Sequence, residues 1–219
     1  SVAIGSSALR LQNHTSATDA YNVAIGRAAG ENVTTATYNT LMGGISGDAL
    51  TTGGKNAFYG YNTGGTLTIG EKNVAIGYDA LYNDQQGSKS TAVGKGALAT
   101  QQFTSATDSH NTGVGHDAGN DITTAVFNTM VGSNAGSATT TGGYNVFLGA
   151  SACSNAQTNA FSTVVGVSTT TGDTSSNNCN GLGYGINAVT GYTTVGITTS
   201  DIRAQHGVAT WSTVSDERY

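Results

Sequence analysis

Proline is absent from this 219-residue chain, and charged side chains make up only 10% of it. Without proline there is no ring to preset φ at a turn, so tight corners fall to glycine, of which there are 32. Eight Lys and Arg against thirteen Asp and Glu leave a net charge of −5. That balance gives no basic footprint, so neither nucleic acid nor an acidic lipid surface is an expected partner. No apolar run approaches the roughly 20 residues of a membrane helix, so membrane insertion is not expected. The two cysteines, Cys153 and Cys179, offer no disulfide framework and no metal-ligand spacing. They read as small buried hydrophobes.

A chain rich in Gly, Ser, Thr and Asn could be a flexible linker, but 37% apolar content is high for disorder. The apolar residues also recur in register. A small polar residue, two variable residues, a large aliphatic and a glycine read NVAIG at Asn22–Gly26 and NTLMG at Asn39–Gly43. The pattern returns as NAFYG at Asn56–Gly60, NVAIG at Asn73–Gly77 and STAVG at Ser90–Gly94. Further copies end at Gly115, Gly132, Gly149 and Gly166, and weaker ones at Gly183 and Gly196. Successive anchor glycines from Gly5 are 21, 17, 17, 17, 17, 21, 17, 17, 17, 17 and 13 residues apart. A second period of 89 residues lies above the first: ENVTTATYNTLMGG at 31–44 aligns with NDITTAVFNTMVGS at 120–133. A block of five coils has therefore been duplicated, as 1–89 and 90–178, and each copy carries one four-residue insertion within a TSATD segment.

Seventeen residues are too few for a helical-hairpin repeat but suit one coil of a solenoid with two short strands. The expected fold is all-β: a parallel β-solenoid or β-roll of about twelve coils, forming a shaft over 1–196. Residues 197–219 leave the repeat and read as a cap or neck. The aliphatic residues just before the anchors, among them Ile25, Met42, Tyr59 and Ile76, should stack in one file. The residue before each of these points to the opposite face and is often apolar too, which suggests a partner chain. The anchors Gly26, Gly43, Gly60, Gly77, Gly94, Gly115, Gly132, Gly149 and Gly166 are read as structural glycines at corners that need φ > 0. Gly53, Gly70, Gly87 and Gly142 mark a second corner, and Thr-rich stretches such as Val33–Thr37 suit a second, half-exposed strand. Asn four residues before the anchor offers stacked amides along the rod. At about 4.8 Å per coil the rod spans roughly 55–60 Å. The chain opens inside a motif, Ser1–Gly5, and a roll cut there would bare a sheet edge. It therefore reads as a piece of something longer.

Chemistry-bearing residues are sparse. His14, His110, His116 and His206 form no HxH or Cys/His cluster, so no metal and no cofactor is expected. Asp79 and Asp117 each follow an anchor by two residues but on non-adjacent coils, and no tight carboxylate group with basic support suggests glycan cleavage. The glycine spacing lacks a phosphate-loop GxxxxGK[ST]. An enzyme is not expected. Tyr21, Tyr38, Phe127, Tyr144 and Phe161 recur five residues before anchors and read as a stacked aromatic ladder. The TSATD segments should bulge as loops, which makes Thr15, Ser16, Asp19, Thr104, Ser105 and Asp108 the candidate binding residues.

The repeats, NVAIGYDAL at Asn73–Leu81 above all, resemble the NTAIGYxAL-type arrays of bacteriophage tail fibres. They are also similar to the head repeats of trimeric autotransporter adhesins. The likeness runs from residue 1 to about 196. It implies a left-handed roll assembled as a homotrimer, located in a virion tail fibre and contacting a host-surface receptor, glycan or protein. The alternative is a bacterial surface adhesin head. The ending Trp211–Tyr219 (WSTVSDERY) resembles the junction into an endosialidase-type intramolecular chaperone. That likeness implies a downstream chaperone during assembly and makes Ser215 and Asp216 the candidates for a single-turnover autocleavage of the precursor. The chain departs from the family's SDERLK pattern at Tyr219.

Overall fold

The computed structural model describes residues 1–213 apart from 173, 199 and 209, and the described chain is all β with no helix. Its main sheet has fourteen strands in strict chain order. The first twelve, from Val2–Ile4 to Tyr192–Ile197, pair in parallel, one rung per coil. Those rungs are joined by about eleven turns of solenoid with a period near 17 residues, so the coil expectation holds to within the counting of its ends. The last two strands, Ser200–Gln205 and Trp211–Thr213, turn back antiparallel. Parallel stacking therefore stops at Tyr192–Ile197. No helix among the described residues is long and apolar enough to cross a membrane.

The register is one-to-one throughout. Ile4 faces Ile25, then Met42, Tyr59, Ile76 and Val93 in an unbroken file. Which face is inside departs from a simple reading of the pattern. After the exposed first rung, the middle residue of each rung is the buried one: Ala24, Leu41, Phe58, Ala75, Ala92, Met130, Phe147 and Val164 are all fully enclosed. The aliphatic file just before the anchors faces outward, and Ile4, Met42, Tyr59, Ile76, Val131 and Leu182 are all exposed. With a three-residue strand the pleat puts one residue in and two out.

The coil is bent by left-handed residues at four fixed places, where cross-coil pairing dictates the conformation. The anchor glycines have φ near +130°, for example +138° at Gly26 and +135° at Gly94. Positions five before, two after and four after the anchor are also left-handed in most coils, as at Tyr21, Ala28 and Gly30. The second-corner glycines Gly53, Gly70, Gly87 and Gly142 are not left-handed. They are glycine because a Cβ there would run into the carbonyl of the next coil, or into the Asp84 carboxylate at Gly87.

The expected second strand is not formed in most coils. Val33–Thr37 is a bend, and two-residue strands appear only at Gly87–Ser88, Thr107–Asp108, Thr170–Thr171 and Asn187–Ala188 among the described residues. The threonines serve a different purpose. Thr34, Thr51 and Thr68 each donate backbone N–H and side-chain Oγ1–H to one carbonyl of the coil above, at 2.8–3.1 Å. Inside the opposite corner runs a buried asparagine ladder. Asn39, Asn56 and Asn73 each donate their backbone N–H to Oδ1 of the asparagine one coil before, at 2.9 Å. Each Nδ2 then donates to a second-corner carbonyl, as Asn56 does to Gly70 at 3.0 Å. The buried amides of Asn39, Asn56 and Asn73 thus each use both ends, which is the condition for burying them at all.

Candidate functional site

The two insertions sit on coils five steps apart, about 24 Å along the rod at ~4.8 Å per coil. The structure therefore does not bring them together. The first, Thr15–Asp19, is wholly exposed. Its contacts are local: Thr18 Oγ1 donates to the Ser16 carbonyl at 3.2 Å, and the Tyr21 hydroxyl donates to Asp19 at 3.3 Å.

The second insertion is built differently. Phe103, where the first block has His14, is buried and pins the loop's base. Its N–H donates to Asp84 Oδ1 at 3.2 Å, and its carbonyl accepts from the Gln86 N–H at 2.9 Å. Thr104, Ser105 and Ala106 then rise into solvent. The chain returns as Thr107–Asp108, which pairs in parallel with Gly87–Ser88 of the preceding coil. The loop and the coils before it enclose a half-open cleft of about 360 Å³. Asp108 and Ala106 of the loop line it together with Ile69, Glu71, Lys72, Ser88 and Lys89 of the coils before it. Lys89 Nζ approaches Asp108 Oδ2 at 2.5 Å, and Lys72 Nζ lies 3.8 Å from Glu71 Oε2. The hydrogen bond from Lys89 holds the Asp108 carboxyl below the usual carboxylate range. The Ser88 hydroxyl accepts the Glu71 N–H at 3.0 Å.

Lys72 and Lys89 belong to a longer file. The residue five before each anchor runs Tyr21, Tyr38, Lys55, Lys72, Lys89, His110, Phe127, Tyr144, Phe161, and all nine have φ between +50° and +64°. Tyr21 stacks on Tyr38 at 5.3 Å between centroids. His110, Phe127, Tyr144 and Phe161 form a second stack at 4.9–5.2 Å. The aromatic ladder expected from the spacing is thus present, but it is two stacks divided by three lysines. Ring faces inside each stack are spent on neighbouring rings, which leaves their edges to solvent. Sequence reasoning noticed the aromatic members and passed over the lysines, although all share one offset from the anchor.

The other chemistry-bearing residues remain apart. His110 stacks on Phe127, His116 Nδ1 lies 3.0 Å from Asp117, and His206 sits beside Asn180 and Thr193 at the C-terminal end. Among the described residues no group of three His, Cys, Asp or Glu is placed to hold a metal. Cys153 and Cys179 are buried free thiols, and burial pushes Cys153 far above its ordinary value. Ser215 and Asp216 lie outside the described residues. Comparison with protein-family models, with curated proteins and with solved structures finds no match for this chain.

Proposed function

We propose that the chain is the shaft of a trimeric bacteriophage tail fibre and carries host-receptor contacts along its length. The observation that carries this reading is the outward aliphatic file. A lone solenoid has one inside, and here it is already filled by the middle residues of the rungs. A second apolar column, from Ile4 through Ile76 and Val131 to Leu182, runs the length of the same sheet in solvent. Contiguous exposed apolar surface of this extent marks an interface. The file is straight and repeats every coil, so it suits copies of the same chain laid parallel about a common axis.

In that arrangement the rod is held by the shared aliphatic seam, and the loops and the tyrosine–lysine file remain on the outer surface for a receptor. A downstream chaperone would bring the three chains into register before the seam closes, with Ser215 and Asp216 at its junction. The test is the solution mass of the purified chain by light scattering. The expected result is three times 22.0 kDa. A monodisperse monomer overturns the reading.

A further inference from the structure

We propose that the cleft between Ala106 and Lys72 binds one neutral pyranose unit of a surface glycan, a site that rests on the receptor-binding reading above and gives its ligand a chemical class. Its size, about 360 Å³, lies at the lower end of small-ligand clefts, about 300–1,000 Å³, which suits a sugar terminus. Its charges cancel: Lys72 and Lys89 against Glu71 and Asp108. A polyanion would meet two carboxylates and a polycation two ammoniums. A vicinal diol meets neither penalty. Each hydroxyl both donates and accepts, so it can insert beside a Lys–Asp or Lys–Glu pair, donating to the carboxylate while accepting from the ammonium. The Ser88 hydroxyl keeps its own proton for a third such contact. Ile69, 39% exposed, supplies an apolar patch against which the C–H face of a pyranose can rest.

The walls are also held in place before any ligand arrives. The Lys72 N–H donates to the Gly54 carbonyl at 3.1 Å and the Lys89 N–H to the Glu71 carbonyl at 3.0 Å. On the loop side, the Ser109 N–H is tied to the Ser88 carbonyl at 2.9 Å. A preorganised site spends less of its binding free energy on ordering. The first insertion has no such return strand, which separates the two loops in function although their TSATD segments are the same.

The probe is a panel of methyl glycosides of neutral hexoses and N-acetylhexosamines, with sialic acid and glucuronic acid as charged comparisons, read by saturation-transfer NMR on the intact chain. Neutral pyranosides are expected to bind, and Asp108→Ala and Glu71→Ala to weaken them about tenfold or more. Ala106→Trp, at an exposed position of the loop, should fill the cleft and abolish transfer, whereas Thr18→Ala in the first loop should leave it unchanged. Binding confined to the acidic sugars, no binding of any pyranoside, or binding that survives Ala106→Trp would each overturn the proposal. The light-scattering mass separates this from the fibre reading: a trimer that ignores sugars loses only the cleft, and a sugar-binding monomer loses only the fibre.

Discussion

Core packing in this rod is settled one pair of residues at a time. In several coils the residue four after the anchor lies against the middle rung residue of the following coil, and the two exchange size. Gly30 leaves room for Leu41, Gly119 for Met130 and Gly136 for Phe147: a Cβ on each would come within 2.7–2.9 Å of those side chains. Where the middle residue is small the relation reverses, and Leu98 fills the space over Gly113. Gly113 does not have a left-handed φ, so alanine is conformationally allowed there. The atoms nearest an added Cβ, about 3 Å away, belong to the Leu98 side chain and the Ala118 carbonyl. Leu98→Ala should destabilise by about 2–5 kcal/mol as a buried truncation, and Gly113→Ala by about 1–3 kcal/mol through overpacking. Together they should cost about 0.5–3 kcal/mol less than their sum, since the new methyl occupies the vacated space. Denaturant midpoints of the four proteins give the cycle, and strict additivity would show that the two sites do not share one volume. The left-handed sites themselves were legible in the sequence only at the glycines. Tyr, Lys, His, Phe and Asn occupy the place five before the anchor, and nothing common to those side chains announces φ near +60°. Cross-coil hydrogen bonds impose it, and they become visible only once the coils are stacked.

At the scale of the element, two ladders span the coil, and the sequence disclosed them unequally. The asparagine file could be read because one residue type recurs at one offset. The threonine segments misled, because strand propensity reports a fit to a half-buried surface and these residues satisfy that by bonding carbonyls from a bend. The asparagine ladder breaks at Ser90, where the second block begins, and a buried bridge repairs it. Gln101 Nε2 donates to Ser90 Oγ at 2.8 Å and to Asp84 Oδ2 at 2.5 Å, while its Oε1 accepts from Asn111 at 2.9 Å. Asp84 is fully enclosed and also accepts the Gly87 N–H at 2.9 Å. Burial raises its pKa, and bonds from Gln101, Gly87, Phe103 and Gln86 only partly offset that. The folded state thus favours the protonated acid more than the unfolded chain does. Its stabilising contribution is complete below about 3.9, the value of a free Asp, and is lost as pH rises through the raised folded value. Other carboxylates are common to wild type and Asp84→Asn, so they cancel in the difference. The stability advantage of wild type over the variant should be largest near pH 3 and shrink toward pH 7 in matched urea titrations. An advantage that grows with pH would mean the four donors outweigh burial.

For the whole molecule, the decisive feature is that one sheet has apolar residues on both faces while a single chain can enclose only one. The period, the register and the existence of the two faces followed from spacing alone. Which face was inside did not, because Val, Ala and Ile are acceptable on either, and only the three-residue length of the rungs decides it. The outer file can be interrogated without touching the core. Ile76 and Val131 are 40% and 38% exposed in the single chain, so lysine at either place can extend into water from an isolated solenoid with little strain. In the proposed trimer the same side chains from three copies would converge near one axis, where three ammoniums would be stripped of water with no carboxylate beside them. The double variant Ile76→Lys, Val131→Lys should therefore keep a β-rich circular dichroism spectrum while its light-scattering mass falls to 22.0 kDa. Thr18→Lys, which adds one such charge on the exposed first loop, should keep the mass of three chains. If the double variant holds the mass of three chains, the seam does not run along this file, and its exposed aliphatics must be covered by something other than copies of itself.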